Sequence, residues 1–236
     1  MSASSPVAPT AAPQPNQYSV YLDNSTLVDL VDINGPRYAL AQQVLALFNR
    51  YKNNGLKVAT SFWAITECHS VLYRNELARL SVQRPRRGGR RLDLRNTVPP
   101  IQAALAVATQ QKNTLLQTLF NDTDFTLLPD ADRNALPILQ LSMLLAEEAA
   151  IFAPDSVHVA IALESGDCQI FITDDQDLLD KLDICQPNVI QPYRQRQYSQ
   201  LPPPPPFDSY ALVNTTCYTG ANRSSALQAL NALGFS

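Results

Sequence analysis

Four short apolar runs, each followed by a longer helical segment, restrict the fold of this chain more than any other feature of its sequence. The runs are Tyr18–Asn24 (YSVYLDN), Leu56–Thr60 (LKVAT), Phe125–Leu128 (FTLL) and Gln169–Thr173 (QIFIT), with a last short strand expected at Asn188–Ile190. Between them the spacing of apolar residues follows a helical period. Ser25 is placed to cap a short helix, TLVDLVD, which Gly35-Pro36 interrupts. Arg37–Asn53 carries Leu40, Val44, Leu45, Leu47 and Phe48 on one broad face, and Asn53-Asn54-Gly55 closes it. Further helices are expected over Ser61–Leu80, after Pro99-Pro100 over Ile101–Phe120, and over Arg133–Phe152, Asp155–Glu164 and Asp175–Leu182. Strands that alternate with helices predict an α/β protein with a largely parallel sheet covered on both faces.

At 236 residues the chain holds one such domain plus extensions. Residues 1–17 are rich in Ser, Ala and Pro, too poor in apolar surface to offset their ordering entropy, and are expected to form a disordered tail. The domain is expected to span 18–192, with an Arg-rich insertion at about 83–98. The stretch 193–236 is a Pro-rich linker and C-terminal extension. There Pro202–Pro206 make a stiff spacer and Ser224–Gly234 a short amphipathic helix. The insertion holds six arginines between Arg84 and Arg95. It reads either as a solvated loop or as a flap that contacts phosphates.

A net charge of −3 gives no global pull toward nucleic acid, so any such binding must be local. Four cysteines without CxxC spacing point to a reduced setting, and two histidines are too few for a His-rich zinc site. No apolar run approaches the about 18 residues that span a bilayer. The first residues lack the basic and apolar regions of a signal peptide, so the expected location is cytoplasmic.

The chemistry rests on four acids. Asp23 ends the first strand, Glu67 sits in the first turns of the Ser61–Leu80 helix, Asp155 opens a helix, and Asp175 follows the Gln169–Thr173 strand. In an open parallel sheet, ligands bind beyond the carboxyl ends of the strands where strand order reverses. If the first and last of these strands are neighbours, Asp23 and Asp175 face each other. Carboxylates gathered from distant segments, without clustered His or Cys, suit a hard divalent cation such as Mg2+ or Mn2+. Such a cation could activate water against a phosphodiester.

Around these acids the sequence resembles the PIN-domain family, in particular the VapC-like ribonuclease toxins of toxin–antitoxin systems. The likeness covers about Tyr18 to Ile190 and rests on four blocks: Tyr21–Ser25 (YLDNS), Ser61–Arg74 (SFWAITECHSVLYR), Pro154–Leu163 (PDSVHVAIAL) and Ile172–Leu178 (ITDDQDL). They would supply Asp23, Glu67, Asp155 and Asp175 as catalytic and metal-binding acids. The resemblance implies a three-layer α/β/α sandwich with a central mainly parallel sheet and Mg2+- or Mn2+-dependent endoribonuclease activity. It also implies an RNA substrate, a homodimer and control by an antitoxin protein. The Arg-rich insertion and the C-terminal extension depart from that pattern, as does Asp174 where the family often has Asn.

Neighbouring residues have plainer readings. Asp174 is read as solvated, Asp177 as a capping or dipole-complementing acid of a first helical turn, His158 as a buried and satisfied histidine, and Cys68 as a small buried hydrophobe. Phe62 and Trp63 are read as core, although an aromatic at an edge could stack on a base. Ser25 and Thr173 either orient carboxylates or serve as helix cap and strand end. Two other functions compete. One is a catalytically silent PIN-fold module that scaffolds a partner through the Pro-rich tail. The other is a haloacid-dehalogenase-like phosphohydrolase, which needs a second Asp two residues after the first; here Asn24 and Ser25 follow Asp23.

Overall fold

A computed structural model of the chain describes residues 18–80, 94–128, 135–164, 168–185 and 214–215. The N-terminal tail, the Arg-rich stretch 81–93, the expected strand Asn188–Ile190, the polyproline spacer and the helix expected at Ser224–Gly234 lie outside the described residues. In chain order the elements are β1 (Tyr18–Leu22), α1 (Asn24–Val31), α2 (Tyr38–Tyr51), β2 (Leu56–Ser61), α3 (Phe62–Arg79) and α4 (Leu94–Asp122). Then come β3 (Asp124–Leu128), α5 (Ala135–Ala149), α6 (Asp155–Glu164), β4 (Cys168–Ile172), α7 (Gln176–Cys185) and β5 (Asn214–Thr215).

The strands form one sheet in the order β3-β2-β1-β4-β5, and every pairing is parallel. β5 is only two residues long and comes from the segment assigned above to the C-terminal extension. Parallel strands need crossovers, and helices supply them on both sides of the sheet. The pleat decides which residues meet which layer. Val20 and Leu22 of β1, Leu56 and Val58 of β2, and Ile170 and Ile172 of β4 enter one core with residues of α1 to α4, among them Leu27, Phe48, Leu72 and Leu119. The intervening Tyr21, Ala59 and Phe171 enter a second core with Leu145 of α5, Val159 of α6 and Leu182 of α7. Two cores on opposite faces of a parallel sheet make an α/β/α sandwich.

Some boundaries differ from the sequence-based expectation. Asp23, not Ser25, is the N-cap of α1, because its carbonyl already accepts the Leu27 N–H at 3.1 Å. α4 begins at Leu94, so Pro99 and Pro100 fall inside it rather than before it. Each proline lacks an N–H, so the carbonyls of Arg95 and Asn96 lose their usual helical donors. Gly55 closes the short turn before β2 with φ of 88°, a left-handed conformation that suits glycine. Among the described residues, no helix is long and apolar enough to cross a membrane.

Candidate metal-dependent active site

β1 and β4 are hydrogen-bonded neighbours, with Val20 opposite Ile170 and Leu22 opposite Ile172. β2 and β3 lie on the other side of β1. Strand order therefore reverses between β1 and β4, and Asp23 and the turn to Asp175 leave the carboxyl ends of these two strands. The Asp23 N–H donates to the Ile172 carbonyl at 2.9 Å, which extends the ladder to the mouth of the cleft. Hydroxyl groups secure the same edge. Thr26 donates to the Ile172 carbonyl at 3.1 Å and Thr60 to the Leu22 carbonyl at 2.6 Å.

Asp23 is buried, 4% exposed. Its Oδ2 accepts from the Thr173 hydroxyl at 2.8 Å and from the Ser25 hydroxyl at 3.2 Å. Ser25 and Thr173 thus orient the carboxylate. The other oxygen, Oδ1, is buried and has no hydrogen-bond partner among the described residues. An unsatisfied buried carboxylate oxygen is costly and suits a cation or ordered water.

Glu67 is held from two sides. His158 Nε2 lies 2.7 Å from Glu67 Oε2, and the Asn24 amide donates to the same oxygen at 2.5 Å. Burial, the largest single influence, pushes the Glu67 carboxyl up. The His158 and Asn24 hydrogen bonds, with the charges of His158 and Arg74, outweigh it and hold the group below the usual glutamate range. His158 is fully buried, as expected, and its Nδ1 lies 3.3 Å from both Tyr21 Oη and Ser61 Oγ. The Tyr21 hydroxyl donates to Ser61 Oγ at 2.8 Å. The relay from Tyr21 through Ser61 and His158 to Glu67 is satisfied when Ser61 donates to Nδ1 and Nε2 donates to Glu67, which leaves the Tyr21 Oη–Nδ1 approach without a hydrogen of its own. The Tyr21 ring stacks on its register partner Phe171, with centroids 5.2 Å apart, which fixes where the hydroxyl points.

Asp155 is the first residue of α6 and half-buried. Burial, then the charges of Asp23 and Asp175, push its carboxyl up to about 6; Glu67 adds to the effect and His158 opposes it. The four acids picked from the sequence therefore share one electrostatic environment, although they come from four separate segments. Asp175 is the most open of them, and its Oδ1 accepts the Leu178 N–H at 3.1 Å, which caps α7. Among the described residues, no group of three or more His, Cys, Asp or Glu side chains forms a ready-made metal cage.

Two expectations require correction. Asp174 is not solvated. Its side chain is 10% exposed and ion-paired with Arg37, and its N–H donates to Ser25 Oγ at 2.9 Å. Phe62 and Trp63 are not core; they are 62% and 54% exposed, because Ala64, Ile65, Cys68 and Leu72 already supply the inward face of α3. Asp177 is an exposed first-turn acid paired with Lys181 at 2.5 Å, and Cys68 is fully buried. The roles of Asn24, Tyr21, Ser61 and Arg37 were not read from the sequence. Of these, only Asn24 carries a signal, its position directly after Asp23. A cavity of about 340 Å³, lined by Leu30, Tyr38, Gln42, Val107 and Gln111 among others, contains none of the four acids. The chain matches no protein-family model and no curated protein.

Proposed function

We propose that this protein is a metal-dependent endoribonuclease that hydrolyses RNA phosphodiester bonds at the cleft between the ends of β1 and β4. One observation carries the reading: the charges of Asp23, Asp175 and Glu67 all act on the Asp155 carboxyl, and Asp23 Oδ1 is buried with no hydrogen-bond partner among the described residues. That orphan oxygen and the all-oxygen donor set fit Mg2+ or Mn2+, with Asp23, Glu67, Asp155 and Asp175 as its holders. The bound cation would lower the pKa of a water and stabilise charge on the phosphate oxygens.

The chain's own residues prepare the site. Thr173 and Ser25 fix the Asp23 carboxylate, while Asn24 and His158 fix Glu67 from opposite sides. Asp155 and Asp175 bring negative charge to the same mouth, which draws in a cation and disfavours a second anion in its absence. In this reading the resemblance to PIN-domain toxins makes control by an antitoxin, and action as a homodimer, the expected setting. Purified protein should cleave RNA in Mg2+ or Mn2+ and lose that activity in excess chelator. Undiminished cleavage in EDTA would refute the metal-centred reading.

A second reading, a silent PIN-fold scaffold, is favoured by one observation: Asp175 caps α7 and Glu67 is tied to His158 and Asn24, so both have structural work without a cation. Absence of cleavage by wild-type protein, together with no thermal stabilisation by Mg2+ or Mn2+, selects it.

A further inference from the structure

Glu67 shares a stripe of α3 with Trp63, Ser70 and Arg74, residues spaced as i, i+4, i+7 and i+11 from the tryptophan. The opposite stripe, Ala64, Ile65, Cys68 and Leu72, is buried. α3 starts at the end of β2, next to the end of β1, and helical side chains lean toward the N-terminus. Trp63 therefore stands off the sheet edge where Asp23 and Asp175 gather, one helical turn from Glu67. It is 54% exposed, and its neighbour Phe62 is 62% exposed. At the far end of the stripe, about 16 Å along the axis, Arg74 is exposed and makes no ion pair among the described residues. Its guanidinium Nε donates only to the Ser70 carbonyl, at 3.3 Å.

We propose that Trp63, flanked by Phe62, is a stacking platform for an unpaired base of single-stranded RNA, whose backbone runs along α3 toward Arg74. The proposal rests on the ribonuclease reading and names its substrate class. The acid cleft repels a polyanion, so attraction must come from groups beside it that do not depend on net positive charge. An exposed indole supplies that attraction through the face of any base, and a lone arginine further along meets a phosphate. A duplex conceals its base faces in the stack, so the platform selects single strands.

Trp63 is the only tryptophan in the chain, so its fluorescence reports the contact directly. The full chain carrying Asp23→Asn, which leaves substrate intact, is titrated with a short oligouridylate. Saturable quenching is expected, and an abasic ribose-phosphate oligomer of the same length should not quench. Trp63→Ala should lose about tenfold or more in affinity for a labelled oligouridylate, the scale of one base–aromatic stack, and Trp63→Phe should recover most of it. Equal quenching by the abasic oligomer, or unchanged affinity of Trp63→Ala, overturns the proposal. If Trp63→Ala leaves RNA binding intact and instead converts a dimer to a monomer in sedimentation, the surface belongs to a second copy and the proposal falls. The two readings separate cleanly. Cleavage by wild-type protein without quenching removes the platform alone, whereas base-dependent quenching without cleavage supports the platform and removes the ribonuclease.

Discussion

Replacing Asp155 with Asn should raise the stability of the metal-free protein while abolishing its activity. The Asp155 carboxyl is pushed from 3.8 up to about 6, first by burial and then by Asp23 and Asp175. At 1.36 kcal/mol for each tenfold change in proton affinity, the charged form costs at most about 3 kcal/mol in the folded state. Because the group keeps partial contact with solvent, about 1–2 kcal/mol is the better expectation. The sign follows from linkage. A carboxyl raised on folding gives stability that is fully present below about 3.8 and is lost as pH rises through about 6. Asn cannot titrate, so the variant should match wild type near pH 4 and exceed it on a plateau above about pH 7. For a domain of this size each kcal/mol moves the melting temperature by about 2–4 °C. Thermal melts of both proteins in EDTA across this pH range measure the difference directly. Added Mg2+ should stabilise wild type and leave Asp155→Asn nearly unmoved. Two melting curves that run parallel at every pH, or a variant less stable at neutral pH, would refute the shared anionic environment.

Other substitutions test separate parts of the structure. Asp23→Asn, Glu67→Gln and Asp175→Asn should each reduce RNA cleavage by about 100-fold or more at fixed Mg2+, as loss of a catalytic electrostatic element requires. Asp177→Asn should stay near wild type, since that acid only meets Lys181 at the surface. Near-normal rates for both Asp23→Asn and Asp175→Asn would leave the scaffold reading. Arg79→Ala should destabilise the fold by about 1–3 kcal/mol in urea titration, because buried Asp32 loses its charged donor at 2.5 Å and keeps, among the described residues, only Asn75 and the Asn34 N–H. An unchanged midpoint would show that the pair contributes nothing. The Cys68 thiol, pushed up to about 12 by burial, should resist a thiol reagent in the native protein and react once it is unfolded. Rapid native labelling mapped to Cys68 would contradict its placement.

Strand–helix alternation was legible because a parallel sheet leaves a plain signature: both faces of β1 are apolar, Val20 and Leu22 on one and Tyr21 on the other. Strand order was not, since periodicity gives each strand's faces but not its neighbours. The approach of Asp23 to Asp175 stayed conditional until β1 was seen beside β4. The acids themselves stood out as carboxylates just past strand ends or in first helical turns. What holds them was legible only in part: Ser25 and Thr173 were open to an orienting role beside the acids, whereas Asn24 and His158 reach Glu67 across 43 and 91 residues. Trp63 was misread for a related reason. Hydrophobicity predicts burial on average, but α3 had already supplied its inward face from smaller residues. Asp174 was misread because its partner, Arg37, lies far back along the chain.

The pairing of β1 with β4 also has a consequence for biosynthesis. The hydroxyl that orients Asp23 belongs to Thr173, 150 positions later, and a contact so distant in sequence forms after the local ones. A growing polypeptide releases β1, β2 and β3 well before β4, and its partial domain can only cover one side of the central strand. Asp23 then lacks Thr173, Asp155 and Asp175 alike. The cleft is assembled only after nearly the whole domain has left the ribosome, so the four acids meet only once synthesis of the domain is almost complete.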